Sequence, residues 1–83
     1  MSDLNVEQTV KDILAKQLAI DIATIKLESN LVEDLNLDSF GAVELAFALE
    51  DTFGFKISDE AVYTAKTVQD IVSYINKEIA RKG

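Results

Sequence analysis

The sequence predicts an all-α fold, a compact four-helix bundle with a long first loop and a short third helix. Three observations support this class. Apolar residues recur every three or four positions in several segments, residues that favour helix caps stand before these segments, and no useful run alternates apolar with polar residues. The 83 residues suffice for one small core, so we expect a single domain over 1–83.

The first helix is predicted over about 5–18, where Val6, Val10 and Leu14 recur at helical spacing behind a candidate N-cap, Asn5. From residue 19 to residue 38 the Ile and Leu residues keep no regular period. Long structureless loops are uncommon in small domains. We therefore expect this loop to pack on the helices and to contain a short helical turn.

The second helix is predicted over 39–53, with Asp38 as N-cap and Gly54 just past its end. It carries two apolar stripes. One is expected to face the core, namely Ala42, Leu45, Ala46, Leu49 and Phe53. The other is either buried on a second side of the helix or exposed with an acidic rim as an interaction surface, namely Phe40, Val43 and Phe47.

Two further helices follow. Ser58 is a suitable N-cap for a short helix over 59–63. Thr67 and Asp70 have the spacing of a capping box and predict a last helix over 68–81.

The composition excludes several classes of function. The chain has no Cys, His, Trp or Pro, which removes disulfides, thiolate or imidazole metal sites and every nucleophile that depends on histidine. We therefore expect a protein that is not an enzyme.

The net charge of −7 is confined to the middle of the chain, because residues 33–60 contain eight acids and a single lysine. Such a charge repels nucleic acid. It indicates either a solvated acidic face or a docking surface for basic partners. No apolar run approaches the ~18 residues of a membrane span, and the first residues lack the pattern of a secretory signal, so we expect a cytoplasmic protein without membrane insertion.

One acidic cluster has the start of a calcium-binding loop. Asp34, Asn36 and Asp38 match its first ligands, but Ser39 stands where the loop needs glycine and Leu45 where it needs glutamate. We therefore predict no metal site.

Ser39 is the most distinctive candidate for chemistry. No histidine is present to activate it as a nucleophile. As the first residue of a helix, however, it stands where backbone N–H groups and the helix dipole favour a phosphate ester. Asp and Ser at a helix start are also ordinary capping residues, and from the residues alone ordinary capping is the favoured interpretation.

The segment LVEDLNLDSF at 31–40, followed by VEL at 43–45, closely resembles the acyl carrier protein family. The resemblance continues to Tyr74 and Ile75 without a gap and covers nearly the whole chain. Its most specific part is the motif E-D-L-x-x-D-S, which ends at Ser39.

This resemblance implies a non-catalytic carrier. A phosphopantetheinyl transferase would attach 4′-phosphopantetheine from coenzyme A to Ser39, beside Asp38. The carrier would then deliver acyl intermediates as thioesters to the enzymes of fatty-acid or related lipid or polyketide biosynthesis. The implied partners are acyl-loading, synthase and acyltransferase enzymes with basic patches, and the carrier is expected to be a monomer.

The resemblance also implies two sets of binding residues. The partner-binding set is Phe40, Val43, Glu44, Phe47, Glu50 and Asp51. The set that lines a cavity for the acyl chain is Leu31, Leu45, Ala46, Leu49, Ile57, Val62 and Ala65. The small side chains of Ala46 and Ala65 are expected to leave space for that chain.

Four positions depart from the family pattern, namely Phe40, Gly41, Phe47 and Ser58. Three of them lie at the start or on the outer stripe of the second helix, so a specialised carrier is an alternative to a general one. Gly41 after Asp-Ser-Phe is similar to D-alanyl carriers, which leaves an aminoacyl cargo open. An unmodified acidic docking module is the alternative from another class.

Overall fold

The computed structural model describes residues 3–82 and contains four α-helices. They are α1 (Asp3–Leu18), α2 (Ser39–Phe53), α3 (Asp59–Thr64) and α4 (Val68–Lys82), with a 3₁₀ turn at Ile22–Thr24 between α1 and α2. Within residues 3–82 there is no β-strand, and a single antiparallel bridge joins Asn30 to Thr67. The predicted all-α class, the long first loop and the short third helix are confirmed.

The predicted bounds are correct for α2 and differ by one residue at the ends of α3 and α4. The prediction that Asn5 caps the first helix is wrong, because α1 already includes Asp3 and Asn5 lies inside it. Asparagine is tolerated inside a helix at a modest cost in helix propensity, so the helix does not have to begin at residue 5.

The caps predicted for α2 and α3 are confirmed. The Asp38 carboxylate accepts a hydrogen bond from Gly41 N at 2.7 Å, and the Ser58 hydroxyl accepts one from Ala61 N at 3.2 Å. Gly54 ends α2 in the left-handed region at φ 80°, which costs glycine little.

A capping box begins α4, as predicted. Asp70 N donates to Thr67 Oγ1 at 3.3 Å, and Asp70 Oδ2 accepts from Thr67 N at 3.2 Å and from Lys66 N at 2.9 Å. Hydrogen bonds from the backbone N–H groups of Lys66 and Thr67 favour the ionised carboxylate and lower the pKa of Asp70.

The core is a continuous apolar cluster to which every long element contributes. α2 contributes its predicted inner stripe, of which Ala42, Leu45, Ala46 and Leu49 are buried and Phe53 is half-buried. Ser29 is a buried polar residue, and its hydroxyl accepts a hydrogen bond from Lys26 N at 3.0 Å. None of the helices in the part of the chain that the structure describes is long and apolar enough to span a membrane.

The long loop is packed on the helices, as predicted, through buried Ile25, Leu31 and Leu37. It is also bound to the α3–α4 connection and to the first two residues of α4 by three backbone hydrogen bonds. These are Leu31 N to Lys66 O at 2.9 Å, Val68 N to Ser29 O at 3.1 Å and Gln69 N to Leu27 O at 2.8 Å. The segment that leads to α2 is thereby held at a fixed distance from α3 and α4.

The capping box predicts a pH dependence. Because the folded pKa of Asp70 lies below its ordinary value of 3.8, its contribution to stability is complete above about that pH and is lost as the pH falls through the lower folded value. The free energy of unfolding of the wild type should therefore exceed that of Asp70→Asn at neutral pH, and the difference should shrink below pH 3.8.

The control for this prediction is Asp51→Asn. Asp51 is exposed, and its side chain makes no hydrogen bond or ion pair in the described part of the chain. Urea unfolding across the acidic range is the measurement. A difference between wild type and Asp70→Asn that stays constant with pH would contradict the prediction.

Candidate functional site

Ser39 is the first residue of α2, and its side chain is exposed. The preceding residue, Asp38, is extended and caps the helix, and its carbonyl oxygen accepts a hydrogen bond from Ala42 N at 2.9 Å. The first N–H groups of a helix have no acceptor within that helix. The Ser39 hydroxyl thus lies at a helix N-terminus that is open to solvent.

A tight turn directs the chain into this position. The Asn30 side chain accepts hydrogen bonds from Val32 N and Glu33 N, and the Asp34 carboxylate accepts from Asn30 N at 2.7 Å. Asn36 then takes a positive φ of 58°, which asparagine tolerates better than most residues.

The same turn explains the acidic cluster that begins like a calcium loop. Asp34 closes the turn, Asn36 reverses the backbone and Asp38 caps α2, so each of these residues has a structural role. Within the described residues no group of three or more Asp, Glu, His or Cys side chains is placed to hold a metal ion.

An apolar cavity of about 220 Å³, here called the serine cavity, opens beside Ser39. It lies between the loop before α2, the first turns of α2, and α3. Its lining residues are Leu31, Val32, Leu37, Asp38, Ser39, Ala42, Val62, Tyr63 and Ala65. Its volume is several times the ~30 Å³ that one water occupies in the liquid.

A second cavity of about 290 Å³, here called the outer cavity, lies further along α2. Its lining residues are Val43, Ala46, Phe47, Glu50, Lys56, Ile57 and Ser58. A larger, shallow depression of about 520 Å³ lies between α3 and α4, and Ser39 does not contribute to it. Despite its size, this depression is not lined by Ser39 or by any residue of α2.

The residues predicted for an acyl cavity are not brought together in one place. Leu31, Val62 and Ala65 line the serine cavity, whereas Ala46 and Ile57 line the outer cavity. Leu45 and Leu49 are fully buried and line neither of the two. The two alanines expected to leave space therefore do so in different cavities.

The outer stripe of α2 is exposed rather than buried. Phe40 is 70% exposed and Phe47 is 65% exposed, whereas Val43 is half-buried. Glu44 and Asp51 are exposed beside this stripe. Between the two interpretations left open by the sequence, the structure favours an apolar surface with an acidic rim.

Glu50 differs from the other acids predicted to bind partners. It is half-buried, and its carboxylate accepts a hydrogen bond from the backbone N–H of Ile57 at 2.9 Å. Because Ile57 is buried, this bond satisfies a donor that water does not reach. Glu50 therefore stabilises the connection between α2 and α3.

Two residues of the site, Val32 and Tyr63, were not predicted from the sequence; they line the serine cavity and are 61% and 56% exposed. Each follows a buried neighbour, Leu31 and Val62, and an apolar residue next to a core position is the only signal that the sequence offered. Gln17 was also missed; its side-chain amide donates to Gly41 O at 2.7 Å.

The residues at the site fit a phosphopantetheine group. The accessible Ser39 hydroxyl is a point of attachment at a helix N-terminus, where a phosphate is electrostatically favoured. The serine cavity beside it offers an apolar surface to the arm and to what the arm carries.

Comparisons with known proteins agree with this geometry. Residues 8–75 match the family described as "Phosphopantetheine attachment site", which defines the class of protein. The chain is 42% identical over 80 residues to the acyl carrier protein of Thermosynechococcus vestitus, covering 96% of this chain and 99% of that protein. It is 49% identical over 70 residues to that of Aster yellows witches'-broom phytoplasma, covering 84% and 92%.

A third relative is the acyl carrier protein of Helicobacter hepaticus, which is 46% identical over 68 residues, covering 82% of this chain and 90% of that protein. The chain belongs to the acyl carrier protein family. It is a non-catalytic carrier, and 4′-phosphopantetheine is its covalent cofactor. When attached, this group supplies the thiol that the cysteine-free chain lacks and on which acyl groups are carried.

Proposed function

We propose that Ser39 is the residue to which phosphopantetheine is attached, in a carrier of acyl intermediates for fatty-acid biosynthesis. The observation that carries this assignment is the exposed hydroxyl of Ser39 at the start of α2, at the mouth of the serine cavity and inside the matched segment 8–75. Phosphodiester formation needs a hydroxyl that a transferase can reach, and Ser39 meets this need.

Asp38 has a positioning role in this proposal. Its carboxylate holds Gly41 N and its carbonyl holds Ala42 N, so both of its acceptors fix the first turn of α2. Ser39 is thereby held in an ordered first turn of α2, where its side chain is exposed.

The outer stripe of α2 is proposed as the docking surface for partner enzymes. Exposed Phe40 and Phe47, with half-buried Val43, provide apolar area, and Glu44 and Asp51 provide an acidic rim. This combination fits basic patches on a phosphopantetheinyl transferase and on acyl-loading, synthase and acyltransferase enzymes. Glu50 contributes its charge, although its carboxylate is also held by Ile57 N.

The serine cavity is proposed to receive the acyl chain. It is closer in the fold to the attachment residue than the outer cavity, since Ser39 itself lines it. Ala42 and Ala65 keep it open with small side chains. Leu31 and Val62 supply apolar walls, so burial of the chain there is favourable.

Gly41, whose position after Asp-Ser-Phe left an aminoacyl cargo open, is explained by local packing. A Cβ atom at position 41 would lie 3.0 Å from Leu37 Cδ1 and 3.1 Å from Asp38 Oδ1, so glycine fits the packing there whatever the cargo. Gly41 therefore does not favour an aminoacyl carrier over an acyl carrier. A cytoplasmic location, a monomeric state and the absence of nucleic-acid partners stay predictions from the sequence.

The first prediction concerns attachment. Wild-type protein incubated with coenzyme A, Mg²⁺ and a broad-specificity phosphopantetheinyl transferase should gain the mass of one phosphopantetheine, and Ser39→Ala should gain none. Ser58→Ala is the matched control, because Ser58 is also an exposed serine at a helix start. Intact mass spectrometry is the measurement, and no gain in the wild type would favour the unmodified docking module.

The second prediction separates docking from stability. Glu44→Ala should raise the half-saturating concentration for the transferase about two- to tenfold at low salt and leave stability unchanged, since Glu44 is exposed. Glu50→Ala should lower the free energy of unfolding by about 1–3 kcal/mol, because Ile57 N loses its acceptor.

Transferase kinetics at low and high salt and urea unfolding check this second prediction. Glu28→Ala is the control for charge, since Glu28 is exposed in the long loop. The docking assignment fails if Glu44→Ala and Glu28→Ala have the same kinetics.

The third prediction identifies the cavity that receives the cargo. In the wild type the melting temperature should rise with the length of the attached acyl chain, since each buried CH₂ contributes up to ~0.8 kcal/mol. Ala65→Leu, which fills the serine cavity, should abolish this rise, whereas Ala46→Leu, which fills the outer cavity, should preserve it.

Each variant is compared with its own unmodified form, so that any overpacking cancels. The opposite result for the two variants would move the cargo to the outer cavity. A flat series in the wild type would mean that neither cavity receives it.

A further inference from the structure

A hydrogen bond links the end of α1 to the first turn of α2, two residues beyond Ser39. The side-chain amide of Gln17 donates to the carbonyl oxygen of Gly41 at 2.7 Å, across 24 positions of sequence. Gln17 is half-buried, and one turn before it Leu14 is completely buried in the core. The donor is therefore carried by a part of α1 that is anchored.

Gly41 is held from both of its backbone polar groups. Its N–H donates to Asp38 Oδ1 at 2.7 Å, and its carbonyl accepts from Gln17 at the same distance. A helical carbonyl has a second lone pair beyond the one used in the helix ladder, so the Gln17 contact adds to the ladder without replacing it.

The absence of a side chain at position 41 permits this arrangement. A Cβ atom there would lie 3.0 Å from Leu37 Cδ1, 3.1 Å from Asp38 Oδ1 and 3.6 Å from Gln17 Nε2. Buried Leu37, the cap of α2 and the amide of Gln17 all converge on the surface that glycine leaves open. A Cβ atom at this position would require the Leu37 and Asp38 side chains to shift by a few tenths of an ångström, and it would lie at ordinary contact distance from Gln17 Nε2.

We propose that Gln17 and Gly41 form a positioning device that fixes the first turn of α2 relative to α1 and so orients the Ser39 hydroxyl for modification. This inference depends on the proposed attachment at Ser39. Gln17 acts through Gly41, and nothing in the device requires it to touch the cofactor or the transferase.

The test is single-turnover modification of the full chain by a transferase in excess, which yields a maximal rate and a half-saturating transferase concentration. Gln17→Met keeps the length of the side chain but removes the donor, and Gly41→Ala adds the missing Cβ. Both should lower the maximal rate roughly three- to tenfold, the range expected from one hydrogen bond, and should leave the half-saturating concentration within about twofold.

Three controls distinguish positioning from general stability. Gln8→Met makes the same change at an exposed site of α1 and should behave as wild type. Among the described residues, the Gln8 amide donates a hydrogen bond only to Asp12 Oδ1 on its own helix, at 3.4 Å. Gln17→Lys restores a donor and should recover the rate, with Gln8→Lys as its control for charge. Amide hydrogen exchange at Gly41 and Ala42 should be faster in Gln17→Met than in the wild type or Gln8→Met.

The experiment distinguishes a failure of the proposed attachment at Ser39 from a failure of the Gln17–Gly41 positioning device. If the wild type itself takes no phosphopantetheine, the proposed function fails. If the wild type is modified but Gln17→Met keeps the wild-type maximal rate, or differs only by a higher half-saturating transferase concentration, the positioning device is overturned. It is also overturned if Gln17→Lys gives no recovery while Gln8→Lys reacts normally.

Discussion

Burial of one face of α2 determines the rest of this structure. Leu45 and Leu49 are completely buried, and Ala42 and Ala46 bring the helix backbone close to its neighbours. Because an α-helix repeats every 3.6 residues, fixing these positions inside forces Phe40 and Phe47 outside. The same constraint places the start of the helix, with Ser39, at the solvent boundary beside α3.

A small helical domain has little core with which to fix a long loop, and here backbone hydrogen bonds do much of that work. Residues 27–31 are hydrogen-bonded to the connection before α4 and to the first residues of α4. The turn after Asn30 is closed by the side chains of Asn30 and Asp34. Among the described residues, no buried side-chain polar atom lacks a hydrogen-bond partner. The loop that leads to Ser39 is therefore held in place by hydrogen bonds, in a chain that has no cysteine for a disulfide.

Local chemistry made most of the fold predictable from the sequence. Asp38, Gly54, Ser58 and the pair Thr67 and Asp70 act within a few residues of themselves, and each forms the cap that its type and position indicated. The start of α1 was misjudged because a good N-cap residue also tolerates a helix interior. Ser39 was predicted by its motif, and the comparisons support its class.

The parts that escaped prediction depend on distant residues. The division of the predicted cavity residues between two cavities follows from how α2, α3 and the long loop meet, which no single segment encodes. The bond from Ile57 N to the Glu50 carboxylate spans the connection between α2 and α3, and the bond from the Gln17 amide to Gly41 O joins residues 24 positions apart. The periodicity of apolar residues predicts which face of a helix is buried, but it does not predict which residues of the other elements pack against that face.

The hydrogen bonds between the long loop and the α3–α4 connection have a topological consequence. They bring residues 31 and 66 together, so the chain between these two residues is a large closed segment whose ends are joined by a hydrogen bond. This segment, which begins at Leu31, contains Ser39, the proposed docking surface and all of the excess negative charge. It also contains the residues that line the serine cavity and the outer cavity. The conformational entropy of closing this segment is lost when residues 31 and 66 pair. Substitutions on the surface of the segment therefore leave the closure unchanged. The carrier thus consists of a support formed by α1 and α4, in which positive and negative charges balance, and of one contiguous segment in which partner recognition can diverge.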